Sequence, residues 1–273
     1  MRPAILTDVT KCTGCEKCVE ACVQANNLGE YTPGGSLHVQ DEGDGLSARR
    51  WTAVVAEPGQ HFVRKQCRHC LEPACVSACP VGAMQKTPEG PIIYDKSICM
   101  GCRYCMMACP FGIPRYEWGS AVPYVNKCTL CYGRLKEGKL PACVEACPEK
   151  ATIFGDRDDL LAEAASRLKA EPKKYIPHIY GEHEVGGTSV LYISDISLDF
   201  LNYKNPLPAD PVPDKTWAVM QQIPTVAVAM TVVSSGLYWI IERRVRMARL
   251  RAEEERQRRA EAERGRQEGA EKQ

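Results

Sequence analysis

The sequence predicts an α+β protein in which two pseudo-symmetric cysteine-rich modules, with insertions, are followed by one C-terminal transmembrane helix. Three observations lead to this prediction. All sixteen cysteines of the 273-residue chain lie before residue 148 and fall into four groups of four. Short apolar runs of the kind that form β-strands flank these groups. Further along the chain, the stretch 217–241 contains no charged side chain.

The four cysteine groups share a common spacing. Each contains a C-x2-C pair and ends in a C-x3-C pair, and in three of them a proline follows the last cysteine. In chain order, quartets one to four are Cys12-x2-Cys15-x2-Cys18-x3-Cys22, Cys67-x2-Cys70-x4-Cys75-x3-Cys79, Cys99-x2-Cys102-x2-Cys105-x3-Cys109 and Cys128-x2-Cys131-x11-Cys143-x3-Cys147. This recurrence indicates an internal repeat. The third quartet has the C-x2-C-x2-C-x3-C-P spacing of bacterial ferredoxins, which bind [4Fe–4S] clusters.

In such runs the fourth cysteine ligates the other cluster of a pair. Three thiolates on a tight loop hold three irons of one cluster, whereas the fourth, in the following helix, points towards a second cluster. Quartets therefore work in pairs. A hairpin signal joins quartets two and three, which leaves quartet one to pair with quartet four. The sequence thus predicts four [4Fe–4S] clusters held by set A (Cys12, Cys15, Cys18 and Cys147), set B (Cys128, Cys131, Cys143 and Cys22), set C (Cys67, Cys70, Cys75 and Cys109) and set D (Cys99, Cys102, Cys105 and Cys79).

Other uses of cysteine fit this pattern less well. Zinc sites favour two separated C-x2-C pairs over triplets with a C-x3-C-P tail. Disulfides would be strained in such dense runs, and the N-terminus lacks the apolar run of a signal peptide. The C-x-x-C-H string of a covalent haem does not occur. Because four thiolates per cluster leave no iron open to a substrate, the pattern predicts electron transfer, and we predict no catalytic residue.

The remaining local predictions concern strands, one helix and cluster packing. We predict strands over Ala4–Leu6, Trp51–Ala56, Thr152–Phe154 and Val190–Ile193, and a hairpin of Ala83–Gln85 with Pro91–Tyr94. Apolar residues at helical spacing predict a helix over Asp159–Lys169. The side chains expected to pack around clusters and to exclude water are Ile92, Ile98, Met106, Met107, Phe111 and Ile113.

The uncharged stretch 217–241 is long enough to cross a hydrocarbon core of about 30 Å. Trp217, Tyr238 and Trp239 near its ends fit an interfacial aromatic belt, although a buried core helix is the alternative. Arginines dominate the following residues, which predicts a cytoplasmic C-terminus and a periplasmic cluster domain in a single-pass protein of the bacterial inner membrane. The predicted layout is a four-cluster domain (1–155), an extension packed on it (156–204), a proline-rich linker (205–216), the transmembrane helix (217–241) and a charged cytoplasmic tail (242–273).

Three segments of the cysteine region carry a family resemblance: 99–116 (CMGCRYCMMACPFGIPRY), 127–131 (KCTLC) and 141–155 (PACVEACPEKATIFG). They resemble the four-cluster iron–sulfur (beta) subunits of membrane-bound respiratory oxidoreductases, such as those of dimethyl sulfoxide reductase, formate dehydrogenase-N and polysulfide reductase. The segment 175–190 (YIPHIYGEHEVGGTSV) is similar to the periplasmic hydrogenase-2-type subunit. A single C-terminal span is shared by the hydrogenase and formate dehydrogenase types.

The resemblance implies a non-catalytic electron-transfer subunit of anaerobic respiration. Its four [4Fe–4S] clusters would relay electrons between a catalytic oxidoreductase subunit and an integral membrane subunit that reacts with quinone or carries haem. Segment 175–190 makes a nickel–iron hydrogenase the first expectation, and a molybdenum or tungsten enzyme such as formate dehydrogenase the second. Without a predicted signal peptide, the chain either leaves the cytoplasm with a signal-bearing partner or keeps its cluster domain inside. The net charge of +1 gives no reason to expect nucleic acid.

Overall fold

A computed structural model describes residues 1–31, 45–57, 61–120, 124–201 and 207–271. The chain divides into two compact units, Met1–Lys215 and Thr216–Gln273. The first unit contains every cysteine and every strand. Part of the predicted linker, residues 205–206, lies outside the described residues.

A three-stranded sheet forms the centre of the first unit. Its middle strand β1 (Pro3–Asp8) pairs antiparallel with a strand at Thr152–Asp156 and parallel with one at Val190–Ile193. Successive side chains of β1 point to opposite faces, so Ile5 enters one apolar core while Ala4 and Leu6 enter another. The antiparallel pairing brings together the chain before quartet one and the chain after quartet four.

Three two-stranded hairpins complete the sheet structure. They are β2 (Thr52–Glu57) with β3 (His61–Gln66), β4 (Met84–Lys86) with β5 (Ile92–Tyr94), and β6 (Arg115–Tyr116) with β7 (Val125–Asn126). The strand at Thr152–Asp156 is β8 and the strand at Val190–Ile193 is β9. The predicted strands and the predicted hairpin are confirmed, with ends displaced by one or two residues.

Short helices follow the cysteine loops. They are α1 (Lys17–Ala25), α2 (Ala74–Ser77), α3 (Tyr104–Ala108), α4 (Tyr132–Lys136) and α5 (Ala142–Glu145). Helix α1, which contains the last cysteine of quartet one, packs against α5 near the end of quartet four, and α2 packs against α3. Helix packing therefore joins the same pairs of quartets that the strands join.

Helix α6 (Arg157–Ala170) covers one face of the central sheet and confirms the helix predicted over Asp159–Lys169. It begins where the Asp156 side chain accepts a hydrogen bond from the backbone N–H of Asp158, an N-cap that satisfies an otherwise unpaired donor. Leu160 and Ala164 then pack beneath Ala4 and Leu6 of β1.

The prediction that six apolar side chains shield clusters is only partly correct. Ile92, Phe111 and Ile113 are buried, and Met106 is partly buried. Ile98 and Met107 are instead exposed, by 45% and 76%. Both lie at the surface loop and short helix of quartet three, where neighbouring Met100 and Tyr104 are exposed too.

Apart from one turn at residues 221–222, the described residues of the second unit are helical. Helix α7 (Val212–Met220) ends at a turn formed by Gln221 and Gln222, and α8 runs over Ile223–Glu271. The helix predicted over 217–241 is therefore interrupted, because Pro224 lacks an N–H and is suited to the first turn of a new helix. From Ile223 to Ile241, α8 rises about 28 Å, close to the hydrocarbon thickness of roughly 30 Å.

The stretch Val212–Ala262 is the candidate membrane span of the described residues, and none of its most apolar window is buried in this chain. A core helix of a soluble protein would be mostly buried. One apolar C-terminal helix compatible with a membrane anchor is thus present.

We expect Gly181→Ala to destabilise the first unit strongly. Gly181 has a φ of +94°, and an added Cβ would lie 2.4 Å from Thr188 Oγ1 and 2.8 Å from the Val190 carbonyl oxygen. Backbone strain and overpacking together cost about 2–4 kcal/mol. Gly138→Ala is the matched control, because Gly138 has a φ of +74° but open space around its Cβ position. Thermal unfolding of the anaerobically purified protein should show a clearly larger loss of Tm for Gly181→Ala, and equal losses would contradict the steric argument.

Candidate iron–sulfur cluster sites

The same backbone turn occurs in all four cysteine loops. The residue before the second cysteine has a positive φ in each: +69° at Gly14, +48° at His69, +74° at Gly101 and +56° at Leu130. In two loops this turn directs a backbone N–H at the first cysteine, with a distance of 3.4 Å from Gly101 N to Cys99 Sγ and 3.3 Å from Leu130 N to Cys128 Sγ. Successive amides in such a turn form an anion-binding concavity that recurs at iron–sulfur sites. The loops are therefore shaped for thiolates.

The last cysteine of each quartet lies apart from its own loop. Cys22 is inside α1, while the other three lie within two residues of the end of a short helix and are followed by a proline. Three residues after each of those three cysteines, the N–H of Gly82, Gly112 or Lys150 bonds back to the cysteine's carbonyl, in a left-handed turn. This turn ends the helix and leaves the side chain free to face a different loop.

The environment of the buried thiols identifies their neighbours. Burial raises the pKa of Cys105 to about 11, and the thiols that raise it further are the other three members of set D. Burial is also the main cause that raises the pKa of Cys70, and the charges of the other three members of set C raise it further. Each of these two groups combines three thiols from one quartet with the last thiol of another.

Sets A and B show the same exchange between quartets one and four. Burial raises the pKa of Cys12, and Cys147 and Cys15 add to the effect. Burial also raises the pKa of Cys128, and the other three members of set B are among the thiols that raise it further. The four members of set A line one cavity, and the four members of set B line another.

Charge interactions between thiols of different sets indicate a linear order. They couple Cys18 of set A to Cys143 of set B, Cys128 of set B to Cys67 of set C, and Cys75 of set C to Cys105 of set D. The order is therefore A, B, C, D. Sets A and D, at the two ends, contain most of the less buried cysteines.

The spacing of the thiols suits a cluster better than a single ion. Within the described ranges, no group of three His, Cys, Asp or Glu side chains is close enough to hold one metal ion. Tetrahedral zinc with bonds of about 2.3 Å would draw its sulfurs to about 3.8 Å from one another. The described cysteines are all free thiols. Four thiols around a larger space are the donor set of a [4Fe–4S] cluster.

Buried polar groups also point towards bound anions. Arg64, 2% exposed, lines the set A cavity, and Gln66, 1% exposed, lines the set B cavity. The Arg64 guanidinium lies against the Cys143 thiol, but no described oxygen accepts a hydrogen bond from it, and none accepts one from the amide nitrogen of Gln66. An isolated buried cation is costly. Thiolate-bound clusters would supply the missing negative charge, so the residues present fit such groups.

Set C has its own buried polar neighbours. The Lys127 ammonium donates to the carbonyl oxygens of Ile92, at 2.5 Å, and Cys128, at 3.0 Å, and it opposes the burial that raises the pKa of Cys75 to about 12. His69 is fully buried, and its Nδ1 accepts a 3.0 Å hydrogen bond from the Ile92 N–H. Burial holds the pKa of His69 well below its usual value, with Lys127 as the second cause. His69 is therefore a neutral part of the loop.

Segment 175–190 supports the set C loop through its backbone. Leu71 N–H donates to the Gly187 carbonyl, and the N–H groups of Ser189 and Val190 donate to the Arg68 carbonyl. The buried Arg157 guanidinium fixes the segment from the other side by donating to the carbonyls of Thr188 and Glu182. The segment thus joins α6 to a cluster loop within the first unit.

Comparison with known proteins identifies an iron–sulfur domain in this chain. Residues 59–157 match the family described as the 4Fe-4S dicluster domain. The Hydrogenase-2 operon protein HybA of Escherichia coli O157:H7 is 39% identical over 236 residues, which cover 72% of this chain and 71% of that protein. The formate dehydrogenase-O iron-sulfur subunit of Escherichia coli K12 is 34% identical over 251 residues, which cover 87% of this chain and 82% of the relative. The nitrate-inducible formate dehydrogenase iron-sulfur subunit of Escherichia coli K12 is 36% identical over 200 residues, which cover 70% of this chain and 67% of that protein.

The chain belongs to the family of iron–sulfur subunits of hydrogenase-2-type and formate dehydrogenase-type oxidoreductases. The resemblance predicted from the cysteine segments is thereby confirmed. Like its relatives, this iron–sulfur subunit is an electron-transfer protein that uses [4Fe–4S] clusters. Its family agrees with a non-catalytic role.

Sequence reasoning missed three polar residues of this iron–sulfur subunit: Arg64, Gln66 and Lys127. A signal for the first two was present, since they alternate on a strand that ends immediately before Cys67. Polar side chains at the positions where a buried strand normally carries apolar ones indicate a polar site beneath that face. Lys127 gave no periodic signal, because it lies in a loop.

We expect His69→Ala to reduce the stability of the set C loop, and we expect His69→Asn to retain most of that stability. Alanine leaves the buried Ile92 N–H without an acceptor and is strained at positive φ, a loss of about 1–3 kcal/mol. Asparagine tolerates this backbone conformation and offers a side-chain oxygen as acceptor. Iron release to a chelator, timed in the anaerobic protein, should be faster for His69→Ala than for His69→Asn. Similar release rates for the two variants would show that the hydrogen bond to Ile92 does not hold the loop.

Proposed function

We propose that this protein is the electron-transfer subunit of a membrane-bound respiratory complex and relays electrons through four [4Fe–4S] clusters. The observation that carries the proposal is the grouping of all sixteen cysteines into four fourfold sets in the series A, B, C, D. Each cluster would supply a site that accepts and passes on one electron, and sets A to D would hold the clusters. Two ferredoxin-like modules follow, with sets A and B in one and sets C and D in the other.

The chain's own contribution is to bind and separate the clusters. Each cluster would take ligands from two quartets. The distance between the two clusters of a module would therefore be fixed by the packing of α1 against α5 in one module and of α2 against α3 in the other. Four thiolates per cluster leave no iron open for a substrate, which favours transfer of electrons over chemistry at the metal. Sets A and D, as the ends of the series, are the places where a donor and an acceptor would approach.

We propose a catalytic oxidoreductase subunit as one partner and an integral membrane subunit, reactive with quinone or carrying haem, as the other. A nickel–iron hydrogenase is favoured for the catalytic partner. Support comes from the HybA protein, named for a hydrogenase-2 operon, and from the Tyr175–Val190 sequence. A formate dehydrogenase is the second choice, supported by the two formate dehydrogenase iron-sulfur subunits.

The anchor is proposed to be α8 from Ile223 to Ile241, within the predicted span 217–241 of a bacterial inner membrane. Residues 1–155 would hold the clusters, 156–204 would pack on them, 205–216 would lead to the membrane, and 242–273 would form the tail. Arg243, Arg244 and Arg246 follow the apolar residues directly, which favours a cytoplasmic C-terminus and a periplasmic cluster domain.

Iron analysis tests the number of clusters. The anaerobically purified protein should contain about 16 iron atoms per chain, since each of the four sets holds four. It should also show the broad brown absorption of iron–thiolate clusters. A content near eight, or zinc without visible absorption, would contradict the proposal.

Paired cysteine variants test the crossed ligation. Cys22→Ala with Cys131→Ala removes two ligands of set B and should leave about 12 irons. Cys15→Ala with Cys22→Ala removes one ligand each from sets A and B and should leave about eight. If each quartet instead bound its own cluster, the two iron contents would be reversed.

Epitope accessibility tests the orientation in the membrane. Met1 is 81% exposed, so an epitope at the N-terminus should be available to antibody. In intact spheroplasts that retain the whole complex, we expect the N-terminal epitope to bind antibody and a C-terminal epitope to bind only after lysis. Access to the C-terminal epitope alone would place the clusters in the cytoplasm.

A further inference from the structure

Strand β3 carries two buried polar side chains whose role the fold does not explain. Arg64 and Gln66 are two residues apart and therefore lie on the same face of the strand. Among the described residues, no oxygen accepts a hydrogen bond from the Arg64 guanidinium, which lies against the Cys143 thiol, or from the Gln66 amide nitrogen. Buried donors in native proteins are nearly always satisfied, so these two groups indicate a partner of another kind.

Each of the two side chains reaches one cluster cavity. Arg64 and its cross-strand neighbour Val54 line the cavity of set A. Gln66 and its cross-strand neighbour Thr52 line the cavity of set B. The β2–β3 hairpin is thus a shared wall of both cavities, and each cavity receives one hydrogen-bond donor from it.

The position of Arg64 allows its charge to act on both sets. It interacts with Cys12 and Cys18 of set A, and with Cys22 and Cys143 of set B. Its strongest charge interactions are with Cys143 and Cys18, and it lies against the Cys143 side chain. The guanidinium is thus a buried cation between the two sites.

The backbone holds both side chains in place. The Arg64 carbonyl accepts a 2.6 Å hydrogen bond from the Tyr192 hydroxyl of β9, and β3 pairs with β2 along its full length. Lys65, between the two residues, points to the opposite face, and its ammonium donates to the Leu201 carbonyl at 2.8 Å. Rigid neighbours of this kind keep a charge at a fixed distance from a cluster.

We propose that β3 sets the reduction potentials of the clusters in sets A and B, with Arg64 acting on both through its charge and Gln66 acting on set B through a hydrogen bond. This inference rests on the proposed function. It assigns Arg64 and Gln66 as positioning residues of the electron relay, since neither is a ligand.

Electron transfer changes the charge at a buried site. A cluster held by one set would gain one negative charge on accepting an electron from a neighbouring cluster, which would be oxidised. Burial disfavours that extra charge, and does so more around set B, where three of the four cysteines are buried, than around set A, where none is. A nearby cation and a donor to cluster or thiolate sulfur stabilise the reduced form, and both raise the potential.

The test is a redox titration of the purified, fully loaded protein, followed by electron paramagnetic resonance. Arg64→Met and Arg64→Gln should each lower two of the four midpoint potentials and leave the other two unchanged. Arg64→Lys, which keeps the charge, should restore both. Gln66→Leu should lower only one midpoint potential. The double variant Arg64→Met, Gln66→Leu should still lower only two potentials, because both residues act on the cluster of set B.

Lys65→Met is the matched control, since it removes a buried cation from the same strand on the other face. It should leave all four potentials in place. Unchanged potentials in Arg64→Met and Arg64→Gln, equal shifts of all four clusters, or the same two shifts in Lys65→Met would overturn the proposal. Iron content distinguishes a failure of this proposal from a failure of the proposed function. About 16 irons per chain with unchanged potentials in the variants would refute only the role of β3. A much lower iron content in the unaltered protein would refute the four-cluster function.

Discussion

The structure depends on one constraint: the last cysteine of every quartet lies beside the loop of a different quartet. Cys22 lies next to members of quartet four, and Cys147 next to members of quartet one. This arrangement requires quartets one and four, at the two ends of the cysteine region, to lie close together, and the pairing of β1 with β8 brings them together. The β4–β5 hairpin brings quartets two and three together over a much shorter length of chain.

A second constraint is electrostatic. The four proposed thiolate-bound clusters would concentrate negative charge inside the first unit, where water is scarce. Backbone amides in left-handed turns, the buried Arg64 guanidinium and the buried Lys127 ammonium all face this charge. Buried cations that would be costly in an ordinary core are therefore expected here. The rigid strand and loop that carry them would make their effect on each proposed cluster specific.

Much of the cluster-site arrangement could be predicted from the sequence, because the spacing of the cysteines limits which loop each thiol can face. The C-x3-C-P endings predicted the exchange of last cysteines, and the β4–β5 turn predicted which quartets pair. The parallel addition of β9 to β1 left no sequence signal, because an isolated strand such as Val190–Ile193 does not specify its partner. Strand β3 was missed since Arg64 and Gln66 break the apolar alternation expected of a buried strand. Ile98 and Met107 were misjudged because apolar character does not reveal which side of a surface loop a residue occupies.

The most direct test of the account is an anomalous difference map, recorded at the iron absorption edge, from crystals of the intact anaerobic protein. The account predicts four compact iron peaks, one enclosed by each of sets A to D and in that linear order. Cys147 Sγ would be bonded to the cluster of the Cys12 loop, and Cys22 Sγ to the cluster of the Cys128 loop. Fewer peaks, or Cys22 bonded to the same cluster as Cys12, would contradict it.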